Sequence, residues 1–104
     1  MTTLSTHVLD AVRGVPASGL DVALATAEGT PIETATTDAD GRIGWSTDLG
    51  PGAYGLRFDT GTWFAAAQRD TFFPVVLLAV EITGHHAHVA LLLSPFSYTT
   101  YKGS

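Results

Sequence analysis

An all-β sandwich carrying one short helix is the fold class that this sequence predicts. Short apolar stretches are punctuated by turn residues at the spacing of a sandwich. Within them apolar and polar residues alternate with period two, and one stretch, "DTGTWFAAAQRD", shifts to helical spacing.

The elements follow in order. Leu4 to Asp10 reads as a first strand, with Ser5, His7 and Leu9 on one face and Leu4, Thr6 and Val8 on the other. Leu20 to Leu24 alternates as a second. The turn "AEGTP" leads into "IETATTD", and "DADGR" carries the Asp-Gly signal of a tight hairpin whose end projects Arg42 outward. A short strand "RIGWS" follows, and "DLGPGAY" turns the chain again. Tyr54, Leu56 and Phe58 share one face of the next strand, and Gly55, Arg57 and Asp59 share the other. In the helical stretch Thr60 or Thr62 is the expected N-cap, with Trp63, Phe64 and Ala67 at helical spacing and Arg69 a bland helix-end residue. After Pro74, "VVLLAVEIT" is apolar on both faces and reads as a central strand covered on both sides. "HAHVALLL" comes next, and Ser94-Pro95 turns into a last strand, "FSYTTYK".

Composition narrows the function. The 104 residues predict one domain spanning 1–104. Hydrophobic residues make up 45% and charged residues 14%, a balance that leaves apolar surface to hide and predicts a homo-oligomer. Five Lys and Arg against a formal net charge of −5 exclude a phosphate-binding basic face, hence nucleic acid. There is no cysteine, so thiolate chemistry is excluded. "MTTLSTHVLDAV" lacks the pattern of a secretory leader, and "FFPVVLLAVEI" is too short to span a bilayer. A cytoplasmic protein without membrane partners is the expectation.

Three of the four histidines cluster in "GHHAHV". On a strand His86, His88, Ala90 and Leu92 share one face, and Ala87, Val89, Leu91 and Leu93 form the apolar core face. An outward face that is mostly small and apolar suits coverage by another subunit, with His88 set into it. Solvated strand histidines are the plain alternative. A metal held by His86, His88 and His7 is another, although no Asp or Glu lies close in sequence to complete it.

"LSTHVLD", "TDADGR", "FFP", "HAHV" and "LLLSPFSYTTYKGS", in that order from about Leu4 to Ser104, resemble the transthyretin-like proteins, specifically the 5-hydroxyisourate hydrolases. The resemblance implies a transthyretin-like (prealbumin-like) two-sheet sandwich of about eight strands with one short helix. It also implies a homotetramer, a dimer of dimers with its sites at the dimer–dimer interface. The family's catalytic residues fall on His7, Arg42 and His88, and its terminal signature, usually Tyr-Arg-Gly-Ser, falls on Tyr101 to Ser104. The implied activity is metal- and cofactor-independent hydrolysis of 5-hydroxyisourate in urate breakdown. In it His7 and His88 share the acid and base work, Arg42 meets developing negative charge, Tyr101 and Ser104 position substrate, and Lys102 adds local charge. Lys102 replaces the usual arginine, Ala87 a tyrosine, Ala90 a proline and Val75 a glutamate. A small-molecule carrier on the same fold, or a family member disabled by these changes, is the alternative.

Overall fold

The computed structural model describes all residues, Met1–Ser104. Its elements run β1 (Thr3–Asp10), β2 (Val15–Pro16), β3 (Asp21–Thr26), β4 (Pro31–Thr36), β5 (Arg42–Gly44), β6 (Gly52–Phe58), α1 (Thr60–Ala66), β7 (Val76–Ile82), β8 (His86–Leu93) and β9 (Tyr98–Gly103). Two sheets result, ordered β2-β1-β8-β9 and β4-β3-β6-β7. The short strand β5 adds to the first sheet beside β1, which shares that edge with β2. β1 and β8 pair in parallel, so the two histidine-bearing strands lie side by side.

Alternation drives this packing. Leu4, Val8, Val89, Leu91 and Leu93 face inward from the first sheet and meet Val22, Leu24, Leu56, Phe58 and Ile82 of the second. Phe64 closes one end from α1 with no exposed surface. Polar groups inside this core are paired, as a low-dielectric interior requires. Trp45 Nε1 donates to Thr6 Oγ1 at 2.9 Å. Thr37 donates to the Ala17 carbonyl at 2.6 Å while accepting from the Leu20 amide. No buried side-chain N or O is left without a partner.

Four local expectations need correction. The Asp-Gly turn is tight, with Gly41 at φ +73°, but it is no hairpin: β4 belongs to one sheet and β5 to the other. Its Asp38 carboxylate accepts from the Asp40 and Arg42 amides at 2.9 Å each, and the Val8 amide donates to the Gly41 carbonyl. The turn is thereby fastened to β1, and a Cβ at Gly41 would overlap the Val8 carbonyl. The apolar strand β7 is an edge, paired to β6 alone, with Leu77 67% exposed. Period-two apolarity reports what a strand can bury, not what its own chain buries. The helix has Asp59 at its N-cap with no side-chain cap bond, and Thr60 donates instead to the Phe73 carbonyl.

The fourth correction concerns Arg69, which is an anchor. Its Nη1 meets Asp10 Oδ2 at 2.6 Å, with the carboxylate side chain 1% exposed. The guanidinium lies 4.8 Å from the Phe64 ring centroid and 5.8 Å from that of Trp63. Asp10 Oδ1 also accepts from the Val12 and Arg13 amides. Gln68, at φ +57°, reverses the chain after the helix so that Arg69 turns back onto β1. Burial pushes the Asp10 carboxyl up, but the bonds from Arg69, Arg13 and Val12 outweigh it and hold the group below its ordinary value.

Candidate active site

Strand register assembles the site from four neighbours. One row across the first sheet reads Arg42–His7–Ala90–Tyr101, and the next reads Gly44–Ser5–His88–Gly103. His7 and His88 thus sit diagonally on adjacent strands, their ring centroids 6.5 Å apart. Both rings are half-buried on the outward face, and Arg42 and Tyr101 stand exposed at either end of the row. Ala90, between His7 and Tyr101, is 4% exposed and forms a low floor between two taller side chains.

Each histidine is held by one ring nitrogen. His7 Nε2 lies 2.9 Å from the Asp40 carbonyl. A carbonyl only accepts, so Nε2 carries the proton in this pair and Nδ1 is the free nitrogen. The turn that carries Arg42 therefore also aims His7. His88 uses the opposite edge of its ring: Nδ1 bonds to Ser5 Oγ at 2.6 Å, which leaves Nε2 free to face outward. Burial first, then the charges of Arg42, His7 and His86, depress the His88 pKa below its ordinary value. The ring is therefore neutral at neutral pH and able to accept a proton.

Gly103 explains part of the terminal tetrapeptide. It lies across the ladder from His88, and a Cβ there would overlap the imidazole Cδ2 and sit 3.1 Å from Cγ. The ring is gripped between Ser5 on β1 and a bare Cα on β9. We expect Gly103→Ala to tilt the imidazole and lower turnover about 10- to 100-fold, the cost of misplacing a reacting group by an ångström or so. Steady-state kinetics beside a thermal melt checks this: a wild-type rate would mean that the ring position is not critical.

The guanidinium of Arg42 makes no ion pair within the chain, whose pairs are Arg57–Asp59 and Arg69–Asp10. It is available to meet an anionic oxygen above the histidines. Ser104 follows directly after Gly103 and is exposed. Lys102 parts company with this group. It pairs with Val89, a core-face residue, and lines a crevice with Val80, Glu81 and Thr100 between the β7 and β9 edges. The expected contribution of its charge to the histidine face is not what the register of one protomer provides. Nor do three His, Asp or Glu side chains converge where a metal could be held. Ser5, the Asp38 turn and Gly103 are the site-building residues that strand reading overlooked. Ser5 and His7 were legible as one face, but the partners of each needed the parallel pairing of β1 with β8.

Two imidazoles, each with one ring nitrogen free, beside an unpaired guanidinium on an outward, small-floored face suit proton transfer next to a developing oxyanion. Comparison with known proteins places the fold. Residues 4–103 match the HIUase/Transthyretin family. The chain is 41% identical to a probable 5-hydroxyisourate hydrolase of Schizosaccharomyces pombe, over 97% of this chain and 90% of that protein. The structure of Klebsiella pneumoniae 5-hydroxyisourate hydrolase superposes with a TM-score of 0.94 at 40% identity, covering all of both chains. Sea bream transthyretin in complex with thyroxine superposes at 0.87 and 36% identity, covering 96% of this chain and 93% of that one. A family match over residues 4–103, identities near 40% and near-complete coverage leave one conclusion: the chain belongs to the HIUase/transthyretin family.

Proposed function

We propose that this protein hydrolyses 5-hydroxyisourate, opening its six-membered ring at an amide during urate breakdown. The family contains both hydrolases and a thyroxine-binding transthyretin, so the fold alone does not choose between them. The observation that carries the reading is the set of His7, Arg42 and His88 on three adjoining strands of one outward face. His88 Nε2 draws a proton from the attacking water, and Arg42 stabilises the oxygen that becomes negative as the carbonyl turns tetrahedral. His7 shares the proton work at its free Nδ1, and a proton must reach the leaving nitrogen before the ring opens. Tyr101 walls the site beyond Ala90, and Ser104 follows Gly103, which lies across the ladder from His88. No step calls for a metal or organic cofactor.

We further propose a cytoplasmic homotetramer in which a second copy covers this face, completing a site that is shallow in one protomer. Tyr101, an aromatic side chain 53% accessible on the same row as His7, supports such coverage. The open edges of β7 and β9, on one side of the sandwich, suit strand pairing between copies. No helix is long and apolar enough to cross a membrane.

The test is direct. Urate oxidase generates 5-hydroxyisourate in place, and its ultraviolet decay is followed with and without the protein. Marked acceleration is expected; decay at the spontaneous rate would move the protein to the carrier or disabled reading. The pH profile gives a second check. Because its pKa is depressed by burial, His88 takes up its proton only below about pH 6.5, where a free imidazole is half protonated. The acid limb of kcat/KM should therefore fall below that value. A limb above it would contradict the assignment of His88 as proton acceptor.

A further inference from the structure

Behind His88 stands a second histidine that the reaction above does not use. Thr3 Oγ1 lies 2.6 Å from His86 Nδ1, His86 Nε2 lies 3.0 Å from Ser5 Oγ, and Ser5 Oγ lies 2.6 Å from His88 Nδ1. Every heteroatom of that line is within hydrogen-bond distance of the next. The line begins at an exposed threonine and an exposed imidazole and ends at the half-buried ring whose free nitrogen faces the site. We propose that Ser5 and His86 form a proton relay for His88, with Ser5 as the positioning residue and His86 as the holder of the positive charge between proton transfers. The proposal rests on the hydrolase reading and extends it.

The proton count fixes how the line works. A serine hydroxyl has one proton to give, so the bonds along the line must run in one direction at a time. With His88 protonated on Nδ1, that N–H donates to Ser5, the Ser5 O–H donates to His86 Nε2, and His86 Nδ1–H donates to Thr3. His88 Nε2 then carries a lone pair and is ready to act as base. When a water O–H bond breaks and its proton joins Nε2, the Nδ1 proton moves to Ser5 Oγ and the Ser5 proton moves to His86 Nε2. The surplus proton now resides on His86, and His88 is neutral with its proton on Nε2. As that proton leaves for the departing nitrogen, the same two transfers run backwards and restore the start. No proton is gained or lost over the cycle.

Burial supplies the reason for such a device. A charge on His88 is disfavoured by its surroundings, whereas His86 is exposed and can be hydrated. The titratable and charged groups around the line are His7 on β1, Arg42 on β5, Tyr101 on β9 and Asp38 in the turn before β5. Arg42 and His7 both disfavour the cationic form of His88. Moving the charge two residues along β8, opposite Thr3 and away from the Arg42–His7 row, relieves that repulsion.

The test uses the full chain, with Ser5→Ala, Ser5→Thr and His86→Gln. Ser5→Ala removes the hydroxyl. His86→Gln can hydrogen-bond to Ser5 but cannot take up a proton. Both should lower kcat about tenfold, less than loss of an acid–base residue itself, with KM within about twofold. Ser5→Thr should recover most of the rate. Nitrogen-15 shifts of the imidazoles, followed through a pH titration without substrate, should show His88 losing its Nδ1 hydrogen bond in Ser5→Ala and keeping it in Ser5→Thr. Unchanged His88 shifts in Ser5→Ala would overturn the relay, as would a wild-type kcat in His86→Gln. A wild-type protein that fails to accelerate 5-hydroxyisourate decay would sink the hydrolase reading instead, and the imidazole shifts would then decide the hydrogen-bonded line alone.

Discussion

Turnover of 5-hydroxyisourate should fall by about two orders of magnitude or more in His88→Ala, the scale on which general acid–base groups contribute. The expectation comes from three features that converge on one ring. Its Nδ1 edge is fixed by Ser5, its Cδ2 edge rests on Gly103, and its Nε2 is left free on the face shared with His7 and Arg42. Loss of the imidazole removes the acceptor and also the group those contacts exist to aim. The effect should lie in kcat, because the ring is assigned to the transition state rather than to uniform binding of the substrate. Melting temperature should change little, since the ring is half-buried and its one hydrogen bond is to a serine that can turn to water. Near-wild-type kcat in the purified, folded variant would remove His88 from the mechanism.

The largest effect on stability is expected far from that face. Arg69→Ala should cost roughly 3–5 kcal/mol, the range for breaking a buried ion pair by removing one partner. Asp10 would be left inside the protein with its two amide donors but without its counter-charge, and the Phe64 and Trp63 rings would lose the cation stacked on them. For a domain of this size the midpoint should drop by roughly 12 °C or more. The pair also has a pH signature. The folded Asp10 pKa is depressed, so its stabilisation is present above the unfolded carboxylate value of about 3.9 and is lost as pH falls through the folded value. A double replacement, Asp10→Asn with Arg69→Met, should recover part of the loss by leaving no unpaired charge. Thermal melts that place Arg69→Ala within about 1 kcal/mol of wild type would show the pair to be solvated in solution.

What the chain discloses before folding depends on whether the signal is local. Period two places His7 with Ser5, and His86 with His88 and Ala90, on outward faces, and burial along β1 and β8 follows that pattern except at Ala90, which is buried beneath its taller neighbours. The same rule contained the separation of Lys102 from Tyr101, since adjacent strand residues point to opposite faces. Grouping the tetrapeptide as one motif hid it. Pairing is a different matter, because it is decided between segments distant in sequence. "DADGR" looks identical whether its flanks pair with each other or with separate sheets, and only the bond from Val8 to Gly41 settles that. The apolar stretch from Val76 to Ile82 likewise cannot announce that it ends a sheet. Asp10 and Arg69 stand 59 residues apart, and no periodicity links them.

The two open edges have a consequence for handling as well as for assembly. β7 and β9 each end a sheet and line one crevice, so a protomer separated from its partner presents two rows of unpaired backbone amides and carbonyls, and Leu77 on β7 is exposed. Rows of that kind recruit any extended chain within reach, including partly unfolded copies. Variants that weaken the Asp10–Arg69 anchor will therefore be lost first to precipitation, well before their melting midpoint. Their shelf life will depend on protein concentration as much as on temperature.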